Sequence, residues 1–146
     1  MSLSAADSRG EDSGDILTAA ESVFQTMQKG DYAALWRGIT GGTQRTIVRS
    51  VAKALDKAGK AQPEEAIRRD METGGELAKG YWSGYLSQFD PKTVLEESKW
   101  SMGEIKKDRA EITLRYRKSS NDAILKMYRE GGAWKVGLDE SFSTRQ

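Results

Sequence analysis

The side chains best suited to chemistry in this chain are carboxylates and phenols. Asp70 and Glu72 precede an aromatic run, Tyr81, Trp82 and Tyr85. A carboxylate held in an apolar site has its pKa raised and can act as a general base, with a phenol hydroxyl as electrophilic helper. That combination would suit a small pocket enzyme of the isomerase or dehydratase type. Its plainer reading is two exposed charges on a helix. The chain contains no histidine and no cysteine, which removes the usual general base, thiolate nucleophiles, disulfides and the commonest metal ligands. No Gly-rich phosphate loop, nucleotide fingerprint or catalytic triad is present. The expectation is therefore no catalytic residue, no metal and no cofactor, and a protein that binds rather than transforms.

Two further groups bear on binding. Tyr81, Trp82 and Tyr85 can line a ligand pocket with Trp100 and Tyr116, since pockets join aromatic walls to a few polar tips; otherwise they fill the core. Arg45, Arg49, Lys53 and Lys57 recur at four-residue steps. Like charges at that spacing oppose helix formation by roughly 0.2–0.5 kcal/mol per pair, so something acidic is expected nearby. The stripe is a possible anion-binding surface; alternatively it faces water or pairs with Glu64, Glu65, Asp70 or Glu72. No aromatic is interleaved for base stacking, and no nucleic acid is expected as a partner. Gly74-Gly75, Gly80 and Gly84 read as helix breakers or as places of close helix approach.

The elements that must position these groups can be read from spacing. A chain of 146 residues is one domain by default. Residues 1–14, rich in Ser and Gly, read as a flexible leader or tether, residues 15–142 as the domain and 143–146 as a tail. Lys and Arg number 23 against 22 acids, a formal charge of +1, so no global field recruits a polyanion. Asp15 is expected to cap a helix carrying Ile16, Ala20, Val23, Phe24 and Met27, ended by Gly30. Asp31 caps a short helix from Tyr32 to Arg37. Thr43 is expected to cap a third, with Ile47, Val48, Val51 and Leu55 on its apolar side. Pro63 opens a helical stretch to Phe89, broken at Gly74-Gly75 and ended by Asp90-Pro91.

From Lys92 to Asp139 the pattern changes to one antiparallel sheet. Val94 to Met102 alternates, and Ala110, Ile112, Leu114 and Tyr116 alternate with charged neighbours. Ser119-Ser120-Asn121-Asp122 is turn chemistry. Ala123 to Arg129 is apolar on both parities, as a strand covered on both faces would be. Gly131-Gly132 marks a tight hairpin into Trp134, Val136 and Leu138. The expected fold is α+β: N-terminal helices packed on one face of a curved four-strand antiparallel sheet. Its other face (Glu97, Lys99, Glu111, Arg115, Arg117, Lys135) is charged, which favours a monomer or at most a weak homodimer.

Three features together resemble the nuclear transport factor 2-like, cystatin-like cone superfamily. These are a helix leading into Gly30-Asp31-Tyr32-Ala33-Ala34-Leu35-Trp36, a long C-terminal antiparallel sheet, and a last hairpin with Gly132, Trp134, Lys135 and Val136. The resemblance spans about residues 15–140 and is nearest to uncharacterised bacterial members that follow a lipoprotein signal or membrane anchor. It implies a first helix lying across a bent sheet, a ligand cavity between sheet and helices, and an extracytoplasmic setting, with any membrane contact made through an anchor upstream. The partner it implies is an unidentified small molecule or protein. Residues 43–89 depart from the pattern, being helical where many members place a β-hairpin.

Overall fold

A computed structural model describes residues 5–118 and 121–142. Residues 1–4 of the expected leader, Ser119 and Ser120 of the expected turn, and the tail 143–146 lie outside the described residues. The order is α1 (Ala5–Lys29), α2 (Tyr32–Arg37), α3 (Gly41–Lys57), α4 (Glu64–Thr73), α5 (Glu76–Leu86), α6 (Pro91–Glu96), β1 (Ser98–Lys106), β2 (Arg109–Tyr116), β3 (Ala123–Glu130), β4 (Ala133–Gly137) and α7 (Leu138–Ser141). The fold is α+β, helices followed by an open four-strand antiparallel sheet in the order β1-β2-β3-β4.

The helices start and stop where backbone chemistry requires. Asp31 caps α2 by accepting from the Ala34 N–H. Gly74 closes α4 in the left-handed region at φ 69°, a conformation that favours a residue without Cβ. Three boundaries differ from expectation. The first helix begins at Ala5, not after Asp15, so much of the expected leader is helical. α3 is capped by Thr40, whose side chain accepts from the Thr43 N–H, because Gly41-Gly42 enters the helix instead of breaking it. Asp90-Pro91 ends one helix but also begins another: Asp90 accepts from the Lys92 N–H and Pro91 occupies the first turn. Val94 to Glu96, read as strand from its alternation, is therefore helical, and β1 starts at Ser98.

Register places one face of the sheet in the core. Ile112 pairs with Leu125, Ala110 with Met127 and Met127 with Val136, and all five of these side chains are buried. β3 is covered on one face only: Leu125 and Met127 are buried while Ile124 is 38% exposed, which corrects the expectation of a strand covered on both. α1 touches both outer strands, β1 and β4, and so lies across the sheet. Arg129 holds its N-terminal half there, pairing with Asp12 at 3.1 Å and lying over the Trp134 ring at 4.8 Å. The space beneath α1 is filled by side chains, among them Phe24 and Met27, both buried.

The edge of the sheet beyond β4 is closed by the link between α2 and α3. Val136 donates to the Gly38 carbonyl at 2.8 Å and Thr40 donates to the Val136 carbonyl at 3.0 Å, a short parallel bridge of Ile39 to Val136. The Gly131-Gly132 turn has both residues at positive φ (59° and 80°), as a two-residue hairpin of the primed type demands.

Candidate functional site

The aromatic candidates divide between core and surface. Trp82 is fully buried and Tyr85 nearly so, while Tyr81, Trp100 and Tyr116 are half-buried. Tyr81, Trp82, Tyr85 and Trp100 belong to a relay of rings instead of a common cavity wall. Tyr32 stacks on Trp82, Tyr81 stacks on Tyr85, Tyr85 meets Phe89, and Phe24 bridges Phe89 to Trp100. Trp100 and Tyr116 share the buried face of the sheet, where the Trp100 indole donates to the Val94 carbonyl and the Ser98 hydroxyl. The indole N–H of Trp82 has no hydrogen-bond partner. Burial pushes the Tyr85 phenol well above its ordinary 10.0, with the neighbouring Tyr81 adding to the rise. Burial also raises Tyr116. In Tyr128 burial leads and Glu140 adds to it, against a lowering by Arg109.

The two candidate carboxylates do different things. Asp70 accepts from the Ala78 N–H at 3.0 Å in the first turn of α5, and its oxygens lie so close beneath Gly75 that a Cβ there would meet one at 2.5 Å. It ties α4 to α5 and gives the open N-terminus of α5 an acceptor that Gly75 cannot supply. Glu72 is exposed on a shallow depression with Trp36, Thr73, Glu130 and Lys135. Neither is placed among the aromatic rings by any hydrogen bond.

A second group of carboxylates, absent from the sequence candidates, converges on the N-terminus of α3. Glu140 accepts from the hydroxyls of Thr40 (2.9 Å) and Thr43 (2.9 Å). Glu130 accepts from the Gly41 N–H at 2.9 Å, and Thr46 donates to Asp139 at 3.0 Å. The exposed donors of the helix and its positive end are thus met from within the chain. Thr40 and Thr43 are fully buried, their hydroxyls bond to each other and to Glu140, and Thr43 accepts from the Asp139 N–H, so the cluster is a structural clasp.

An open groove of about 390 Å³ lies between α3 and α5, walled by Ser50, Val51, Ala54 and Leu55 on one side and Glu76, Leu77, Gly80, Tyr81 and Gly84 on the other; a more open depression lies beside Trp100, Leu17 and Glu21. Gly80 and Gly84 face open space, with nothing within 4 Å of where a Cβ would stand. Arg45, Arg49, Lys53 and Lys57 are all exposed. Lys53 follows Ser50, and Lys57 follows Ala54, by three positions, which on a helix makes each pair neighbours on one side. Lys53 and Lys57 therefore stand at the α3 rim of the groove, whereas the Arg45 guanidinium lies beside Gly41 and Gly42 at the other end of the helix. Among the described residues the side-chain ion pairs are Arg69–Glu65, Lys79–Glu76, Arg115–Asp122 and Arg129–Asp12; Glu64, Glu65, Asp70 and Glu72 do not pair with the stripe.

Val51 and Leu55, expected on the apolar side of α3, do pack against the core but are half-buried because the groove leaves one flank open. The signal that could have found the groove is the Gly80/Gly84 spacing on the side of α5 turned away from Trp82. Among the described residues no group of three or more acidic side chains is placed to hold a metal ion, and no helix is long and apolar enough to cross a membrane. No protein-family model, curated protein or solved structure matches the chain.

Proposed function

We propose that this protein is a non-catalytic binding module built on a nuclear transport factor 2-like plan, and that its binding face is the groove between α3 and α5. The observation that carries the reading is the groove itself: an apolar trough with open glycines on one wall and the unpaired Lys53 and Lys57 beside the other. Such a combination of apolar lining and few charged groups is the common form of a ligand site. The plan is supported by α1 lying across the sheet from β1 to β4 and by the Gly131-Gly132 hairpin at its end. The binding role is supported by Asp70, which already serves α5, and by the lack of imidazole and thiol.

An anilinonaphthalene sulfonate dye, apolar with one anionic group, tests the reading. The expected result is saturable fluorescence enhancement, with amide shift changes in NMR at Val51, Ala54, Leu77 and Gly84, and loss of both in Gly84→Leu. Shift changes centred instead on Trp100 or on the sheet face, or no saturable binding, would sink the assignment of the groove.

A further inference from the structure

We propose that the occupant of the groove is an amphipathic helix of a partner protein whose polar flank is acidic; the inference rests on the groove being the binding face. The trough lies between two helices and runs from Glu76 to Gly84, nine positions of α5, roughly 12 Å at the rise of an α-helix. That length accepts about two turns of a third helix, whose apolar ridge would sit on Val51, Leu55 and Leu77.

Gly80 and Gly84 point to close approach. Each costs about 1 kcal/mol in a helix interior relative to Ala, and neither is required by the chain's own fold: both have ordinary helical φ, and no atom of the protein would meet a Cβ at either. A helix packed over them would use the missing side chains to bring its backbone near α5.

Charge sets the class of partner. Lys53 and Lys57 edge the α3 wall, with Arg49 further round the helix, and on the outer side of that helix Asp56 is the opposing charge. On the other wall Glu76 is engaged by Lys79 at 3.5 Å. A partner with Glu or Asp at four-residue steps would set its carboxylates against the cations in register. A second copy of the chain meeting groove to groove would oppose two basic stripes. An anionic membrane would need apolar side chains projecting outward, whereas the apolar surface here is concave and the one large exposed hydrophobic among the described residues is Ile124, on the sheet.

The test uses a helical peptide with Leu at positions i, i+4 and i+7 and Glu along one flank, beside the same peptide with Lys for Glu and vesicles of phosphatidylglycerol. The acidic peptide is expected to shift amides of Ala54, Leu77, Gly80 and Gly84 and to bind at least about tenfold more tightly than the basic one, the combined worth of two or three solvent-exposed charge pairs. Lys53→Glu with Lys57→Glu should remove that preference, and far-UV circular dichroism should show the variant folded. Gly84→Leu should abolish binding while raising helix content. Equal binding of the two peptides, no binding of either, or binding only to vesicles overturns the proposal. If the dye occupies the groove while the acidic peptide does not, the partner class is wrong and the groove stands. If neither does, the binding-face reading falls with it.

Discussion

The two ends of α3 are made differently. At its N-terminus the chain supplies its own acids: Glu130 and Glu140 come from residues about a hundred positions away and meet the Gly41 N–H and the Thr40 and Thr43 hydroxyls. Along its C-terminal half the chain supplies cations, with Lys53 and Lys57 exposed beside a groove and, among the described residues, in no ion pair. Lys57 suits the negative end of the helix dipole, but Arg49 and Lys53, further from that end, have no such excuse. The lesson is that a charged helix surface answered from inside is part of the fold, and one left unanswered is surface available to another molecule.

The largest effect that sharpens this contrast lies at high pH. Tyr85 stacks on Tyr81 of the groove wall, and its folded-state phenol ionises only well above 10.0. An unfolded tyrosine loses its proton as pH passes that value, so the folded state then binds more protons. The stabilisation is complete below 10.0 and is lost as pH rises above it. Urea unfolding from about pH 8 to about pH 12 should show falling stability, and Tyr85→Phe should flatten the fall. A Tyr85→Phe variant with the same alkaline slope would show the phenol to be unimportant.

Breaking the clasp comes next. Glu140→Ala removes the carboxylate that two buried hydroxyls donate to, and should cost about 2 kcal/mol by chemical denaturation. A loss within a few tenths of wild type would make the cluster incidental. Asp70→Ala, which removes the acceptor for Ala78, should cost about 1 kcal/mol. A similar magnitude with opposite sign is expected on the α5 wall of the groove: Gly84→Ala should raise stability by up to about 1 kcal/mol, because it improves helix propensity and meets no atom. Thermal melts that show destabilisation instead would mean the glycine is needed by the fold itself. The smallest effect is Lys53→Glu, expected to change stability by a few tenths of a kcal/mol in the favourable direction as like charges at four-residue spacing are relieved.

How much of this was legible in the sequence depended on the distance over which each feature is decided. Gly131-Gly132 and the alternation from Arg109 to Tyr116 are local, and the structure has the hairpin and strand they indicate. Val94 to Glu96 misled because a few alternating residues satisfy a short helix as well as a strand, and Asp90-Pro91 decided the matter from outside the pattern. Thr40 was hidden by the Gly41-Gly42 pair after it. The basic stripe was visible, but its pairing with nothing was not, since that depends on where α4 and α5 pack. The aromatic residues were identified as a group; which of them would be submerged required knowing that Phe24 and Phe89 fill the gap between Trp82 and Trp100.

The bridge between Ile39 and Val136 has a consequence for biosynthesis. The strip from Gly38 to Thr40 can take its native backbone partners only after Val136 has been translated and has left the ribosome exit tunnel, so a strip just over a quarter of the way along the chain must wait for the last tenth. During that interval α3 has no acid at its head, and nascent chains stalled before Glu130 should remain open to protease at the Arg37–Arg45 segment.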